Sequence, residues 1–418
     1  MIGRTAYPFR VLMYSHDTYG LGHLTRTLRI ARALLSSNPE MSILVLSGSP
    51  VAHWFRFPSR CDHLKLPSIV KTSAEEYVSR DLRVSFERIR RMRRAVLEET
   101  AILFRPHLVM VDNVPLGVKG ELRPTLERLR RLSNPPKVVL NLRDILDAPE
   151  VIRERWEEDG VHEALRTYFD AVFVYGSRAI YDAAEAYALP ADRTEFLGYL
   201  RSPVPPAAVP AERPRVTVTV GGGGDGAALI RSALEALPPL GRDLSFDTTI
   251  VTGPFLPAAE FDGIRDQTSR LSGVELLEFS DNLPALIANS HLIVAMGGYN
   301  TVCDILSAGR PAVLLPRTAP RVEQKIRAMA LAAAGRVEHL PLDEATPARF
   351  GAAIREGLGC GGRASGTTID LGGEDRMIEK LGELLPVARN GSQRAARYFG
   401  GTTASPAANF ASVGKVVL

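Results

Sequence analysis

In "YSHDTYGLGHLTRTLRIARAL", residues 14–34, a hydrophobic strand pattern stops at a glycine-spaced turn and a histidine before an arginine-bearing helix begins. Gly20 and Gly22 permit a tight turn with close backbone approach, and His23 opens the helix, where the positive end of the dipole disfavours an imidazolium. A neutral imidazole there can take a proton from a hydroxyl. Asp17 is near enough in sequence to orient it or to compete for the role of base. The plainer alternative is a structural turn whose histidine caps the helix. The spacing is not G-x-G-x-x-G, so no dinucleotide site is indicated.

Two further turns carry the same kind of chemistry. In "VTVTVGGGGDGAALIRSAL", Gly221, Gly222, Gly223 and Gly224, followed by Asp225 and Gly226, join a strand to a helix and would offer backbone N–H groups to a phosphate. No Gly-Lys-Ser/Thr closes the pattern, which counts against ATP or GTP hydrolysis. A bland glycine-rich loop is the alternative. In "HLIVAMGGYNTVCDILSAGRPAVLLPR", Gly297 and Gly298 end a strand, and Asn300 and Thr301 fall in the first turn of the next helix. Asp304 shares a helical face with Asn300, so its carboxylate could accept ribose hydroxyls while the helix end holds phosphates. A first-turn acid that merely complements the dipole has the same pattern.

The elements that must position these turns alternate. "RVLMYS", "SILVLSG", "HLVMVDN", "KVVLNL" and "AVFVYG" read as buried parallel strands with helices between them. "GYLRSPVPPAAVPAERPR" breaks the alternation with Pro203, Pro205, Pro206, Pro210 and Pro214. It then restarts with "VTVTV", "TTIVTG", "VELLEF", "HLIVAM" and "AVLLP". The expected fold class is therefore α/β, with two Rossmann-like doubly wound domains facing across a cleft. The divisions are an N-terminal domain at 1–201, a Pro-rich linker at 202–215, a C-terminal domain at 216–386 and a flexible tail at 387–418. Ligands in such sheets lie outside the carboxyl ends of the strands, where the three turns sit.

A length of 418 residues suits two domains, and 45% hydrophobic with 23% charged residues is a globular composition. A net charge of +4 is too small to argue for nucleic acid as a partner. Cys61, Cys303 and Cys360 form no C-x-x-C and leave one unpaired in any disulfide scheme, which fits a reducing cytoplasm. Neither a secretion signal nor an apolar run long enough to span a bilayer is expected. Residues 83–94, "RVSFERIRRMRR", carry six arginines and read as a solvated helix face, or as a surface for anionic lipid or an acidic acceptor.

Together "GLGHLTR", "GGYNTVCDILSAGRPAVLLPR" and "EQKIRA" resemble the GT-B glycosyltransferases related to MurG, over roughly residues 8–358. "VDNVPLGVKGEL", "LRDILDAPEVI" and "GGGGDG" look more like a subgroup of predicted bacterial glycosyltransferases. The resemblance implies an acceptor domain followed by a nucleotide-sugar domain, and inversion at the anomeric carbon with no metal or other cofactor. His23 matches the family's N-terminal histidine, a candidate base, and Asp304 falls where relatives have a ribose-binding glutamate. Glu323 and Gln324 fall where relatives place a Gln-Gln pair on the donor sugar, Arg327 replaces an asparagine, and Phe279 lies where relatives hold the base. Asp112, Lys119 and Glu121 follow a strand on the side of the sheet where they could help bind an acceptor or remove its proton. The expected partners are a nucleotide-sugar donor, UDP-linked by family weight, and a hydroxyl acceptor, with peripheral contact at the inner membrane face. Two other functions share this architecture: a nucleotide-sugar 2-epimerase and a non-catalytic nucleotide-sugar-binding protein.

Overall fold

The computed structural model describes residues 9–16, 21–72, 76–204, 213–280, 282–359 and 368–385. Two parallel sheets dominate it. In spatial order the first contains Cys61–Lys65, Met41–Ser47, Phe9–Ser15, Leu108–Asp112, Lys137–Arg143, Ala171–Tyr175 and Thr194–Phe196. The second contains Val274–Leu277, Asp247–Val251, Arg215–Thr219, Leu292–Ala295, Ala312–Leu314 and Glu338–His339. Strands such as Leu108–Asp112 and Ala171–Tyr175 are buried throughout, as helices on both faces require. This is the expected α/β class with two doubly wound, Rossmann-like sheets.

In each sheet the first strand lies between its second and fourth neighbours in the winding. Val11 pairs with Ile43 on one side and Leu108 on the other, and Val216 pairs with Thr248 and Leu292. The order reverses at that strand and opens a crevice beyond its carboxyl end. His16 and the helix start at Gly22 and His23 stand over one crevice and Val220 to Gly226 over the other.

The two halves share one apolar cluster. It holds Leu24, Leu28 and Ala31 of the helix Gly22–Ser37 together with Tyr299, Val302 and Ile305 of the helix Tyr299–Ala308. The helix Gly373–Leu384, expected at the end of the C-terminal domain, packs on the first half. Its N–H at Gly373 donates to the Tyr199 carbonyl (3.1 Å), Arg376 Nε donates to the Leu197 carbonyl (2.7 Å), and Met377 and Leu381 are buried in the shared cluster. Any side chain at 373 would meet the Tyr199 oxygen at 2.8 Å, so glycine is required there. Residues 205–212 of the linker and the whole tail 387–418 lie outside the described residues. A short antiparallel hairpin, Ile69–Lys71 with Tyr77–Ser79, is the one pairing outside the two sheets among the described residues.

Candidate functional site

Of the first turn, Asp17 and Gly20 lie outside the described residues. Gly22 and His23 begin the first helix, whose N-cap Leu21 supplies no side-chain bond, so its first N–H groups keep their polarity for a ligand. His23 Nδ1 lies 2.7 Å from Asp112 Oδ2, at the carboxyl end of the strand Leu108–Asp112. Arg26, one turn along the helix, donates to Asp112 Oδ1 from Nε (3.1 Å) and again from Nη2. Burial opposes ionisation of Asp112, but Arg26 and then His23 hold its carboxyl well below the usual range. A carboxylate accepting from Nδ1 fixes the imidazole tautomer and leaves Nε2 as the proton acceptor. His23 is 17% exposed in its side chain, enough for contact with a ligand. His16 packs edge-on against it with ring centroids 5.5 Å apart, and His16 Nδ1 is buried without a partner.

The second half aims its own helix end at this place. Gly297 turns with φ +86°, Gly298 has open space where a side chain would stand, and the helix Tyr299–Ala308 follows. Asn300 does not cap its own helix. Its Nδ2 donates to the Gly22 carbonyl at 2.9 Å, which brings the two helix N-termini together. Tyr299 lies between the guanidinium groups of Arg26 and Arg327, 5.7 Å and 5.8 Å from its ring centroid. Thr301 is buried in the first turn. Two converging positive helix ends favour an anion between them.

Asp304, expected at a ribose, lies between the halves. The face it shares with Asn300 packs on the first half, where Asp304 Oδ1 accepts from Arg29 Nη2 (3.0 Å) and Ser202 Oγ (2.5 Å). Burial raises its carboxyl above the ordinary range, with Arg29 and Ser202 opposing. It joins the halves.

Gly222, Gly223 and Gly224 form a loop closed on the neighbouring turn. The Gly222 carbonyl accepts from the Phe255 N–H (2.9 Å), and a Cβ on Gly223 (φ +93°) would fall 2.3 Å from the Thr252 oxygen. Glycine is thus demanded by packing as well as by any phosphate. Asp225 pairs with Arg317 Nε at 2.6 Å. Across the cleft mouth Trp54 of the first half stacks near-parallel on Phe255, with centroids 6.4 Å apart.

A buried ionic layer lies beneath. Arg327, wholly buried, is forked onto Asp144 (2.6–3.1 Å) and donates from Nη1 to the Gly297 carbonyl (3.0 Å). Glu323 accepts from Arg317 Nη2 at 2.8 Å. Gln324 donates from Nε2 to the Met296 carbonyl (3.0 Å) and accepts from Arg317 Nε (3.3 Å). Of the two expected sugar-facing residues, Gln324 abuts the Gly297 turn, and Glu323 is tied to Arg317. Phe279 is 51% exposed beyond the strand Val274–Leu277.

Glu121 is held in the interior of the first half. Fully buried, it binds Arg93 through two bonds (2.6 and 2.8 Å) and accepts from the Tyr14 hydroxyl (2.8 Å), which leaves it no acceptor role. Lys119 adopts a left-handed backbone in the adjoining turn. Arg93 is likewise withdrawn from the arginine run, while Arg88, Arg91 and Arg94 stay exposed on the helix Phe86–Phe104. Among the described residues no three His, Cys, Asp or Glu side chains are grouped to hold a metal ion.

Residues 217–359 match the glycosyltransferase family 28 C-terminal domain. A UDP-N-acetylglucosamine–N-acetylmuramyl-(pentapeptide) pyrophosphoryl-undecaprenol N-acetylglucosamine transferase from Lactococcus lactis is 29% identical over 150 residues, 35% of this chain and 41% of that protein. The chain thus spans about two fifths of that relative's length. The enzyme of the same name from Solidesulfovibrio magneticus is 28% identical over 275 residues, 60% of this chain and 67% of the relative. Among solved structures, the calicheamicin glycosyltransferase CalG4 superposes with a TM-score of 0.61 at 16% identity, covering 92% of this chain and all of that one. Acinetobacter baumannii MurG gives 0.53 at 16% identity, covering 84% and 90%. A putative UDP-N-acetylglucosamine 2-epimerase from Listeria monocytogenes gives 0.61 at 10% identity, covering 92% and 98%. These structural likenesses show the fold, which is GT-B.

Proposed function

We propose that this MurG-like GT-B chain, with its family 28 C-terminal domain, is an inverting, metal-independent glycosyltransferase that moves a sugar from a nucleotide-diphosphate sugar, UDP-linked, to a hydroxyl acceptor. The observation that carries this reading is the His23–Asp112 pair at 2.7 Å, set at the junction of two helix N-termini. The acceptor hydroxyl attacks the anomeric carbon while its proton passes to His23 Nε2. The bond from that carbon to the diphosphate oxygen breaks with its electron pair on the oxygen. Asp112 stays ionised and stabilises the imidazolium, as a buried carboxylate behind a catalytic histidine does. The N–H groups that open Gly22–Ser37 and Tyr299–Ala308 meet the charge on the departing diphosphate.

The acceptor end faces the first half. Its helix Phe86–Phe104 and the preceding turn expose Leu82, Val84 and Met92 beside Arg88, Arg91 and Arg94, a surface suited to an anionic bilayer. Among the described residues no helix is long and apolar enough to cross a membrane. The relatives' names specify an undecaprenol-linked acceptor, and a peripheral position at the inner membrane face would bring such a substrate within reach.

Calorimetry paired with UDP release from UDP-N-acetylglucosamine tests the assignment. His23→Ala is expected to keep donor affinity within about twofold while UDP release falls by about a hundredfold or more. A parallel loss of affinity and turnover would make His23 a structural residue instead.

A further inference from the structure

Arg143 closes the strand Lys137–Arg143 of the first half, and Glu323 opens the helix Glu323–Ala333 of the second. Each is the leading charged neighbour of the other, yet no ion pair joins them. Glu323 is 3% exposed, its Oε1 is taken by Arg317, and its Oε2 is buried without a partner. Arg143 Nε is also buried without a partner, and among the described residues its guanidinium enters no hydrogen bond or ion pair. Burial pulls Arg143 down to about 10, with Glu323 resisting and Arg327, Arg321 and Arg26 adding to the pull.

The charges around them are matched. Arg26 faces Asp112, Arg327 faces Asp144, Arg317 joins Asp225 to Glu323, and Arg321 lies 4.0 Å from Asp147. An unpartnered guanidinium N–H and an unpartnered carboxylate oxygen, both withdrawn from water, cost free energy unless one group bonds to both. Such a group must accept from Arg143 and donate to Glu323, and the balanced surroundings call for no net charge on it. Its place is near the leaving-group turn, since Arg327, one turn beyond Glu323, reaches the Gly297 carbonyl.

We propose that Arg143 and Glu323 are the two sides of a donor-sugar subsite that holds a neutral group able both to accept and to donate a hydrogen bond, either a ring hydroxyl or its acetamido replacement. This rests on the nucleotide-sugar reading above and adds Arg143, a residue of the opposite half, as a determinant of which sugar is taken. The subsite exists only when the halves are together.

The experiment is calorimetric titration of wild type, Arg143→Gln and Glu323→Ala with UDP, UDP-glucose and UDP-N-acetylglucosamine, alongside thermal melting. Wild type is expected to bind one or both UDP-sugars about tenfold more tightly than UDP, a gain of about 1.4 kcal/mol. Both variants should lose that gain while UDP affinity stays within about twofold. The sugar that shows the gain tells hydroxyl from acetamido. Arg143→Gln should melt close to wild type, because the Arg143 guanidinium makes no hydrogen bond or ion pair among the described residues, and Arg143→Lys serves if the glutamine variant does not fold. A weakened affinity for UDP itself would place Arg143 on phosphate and overturn the subsite, as would a sugar-dependent gain that survives both substitutions. Failure of wild type to bind UDP or either sugar would remove the donor reading first and the subsite with it.

Discussion

At the scale of single residues, the chemistry concentrates on one aspartate shared by a histidine and an arginine. His23 and Gly22 were legible because their signal is local: a strand, a glycine turn, a helix start. Asp112 was legible only as a residue after a strand, and its contact with His23 spans 89 positions. Arg26, Asp144 and Arg143 were not singled out, since nothing in their own neighbourhoods marks them among the chain's many arginines and acids. Their roles come from pairings across the fold. His16 was also overlooked, and it gives a pH signature. Burial first, then His23, holds its imidazole well below 6.5, so the native state keeps it neutral. The unfolded chain binds that proton below about pH 6.5, so the stability is full above that pH and is lost as acidity increases. The melting temperature of wild type should therefore fall between pH 7 and pH 5 more steeply than that of His16→Asn. Equal slopes would mean that His16 takes up its proton as readily in the native state as in the unfolded chain.

Among the elements, the glycine turns differ in what their glycines do. Gly223 is held left-handed with backbone oxygen 2.3 Å from where a Cβ would go, whereas Gly298 has φ −60° and open space. Gly223→Ala should cost about 2 kcal/mol or more in urea unfolding. Gly298→Ala should leave stability within about 0.5 kcal/mol yet weaken UDP, because its methyl enters the space assigned to diphosphate. Unchanged UDP affinity in Gly298→Ala would move the phosphate elsewhere. The central strands were readable as apolar runs, while Cys61–Lys65, Thr194–Phe196 and Glu338–His339 were not. Each is an edge strand with partly exposed, polar side chains, so its sequence lacks the two-sided burial that marks the centre.

For the whole molecule, the division into two sheets was visible in the alternation and the proline-rich break, but the way the halves hold each other was not. Asp304 looked like a ligand residue because helical spacing shows which side chains share a face, not what that face meets. The return of Gly373–Leu384 to the first half likewise depends on an apolar cluster assembled from both. Buried contacts from Arg327 to Asp144 and from Arg29 to Asp304 join the halves near His23, and Trp54 stacks on Phe255 between them. The proposed transfer takes place at that junction, by inversion. The most direct measurement is proton NMR in D2O of UDP-N-acetylglucosamine, an α-linked donor, incubated with the protein and methanol as the simplest hydroxyl acceptor. The predicted result is UDP and the methyl β-glycoside, with the proton at C2 retained and the reaction lost in His23→Ala. Methyl α-glycoside, or deuterium at C2 with N-acetylmannosamine as product, would contradict it.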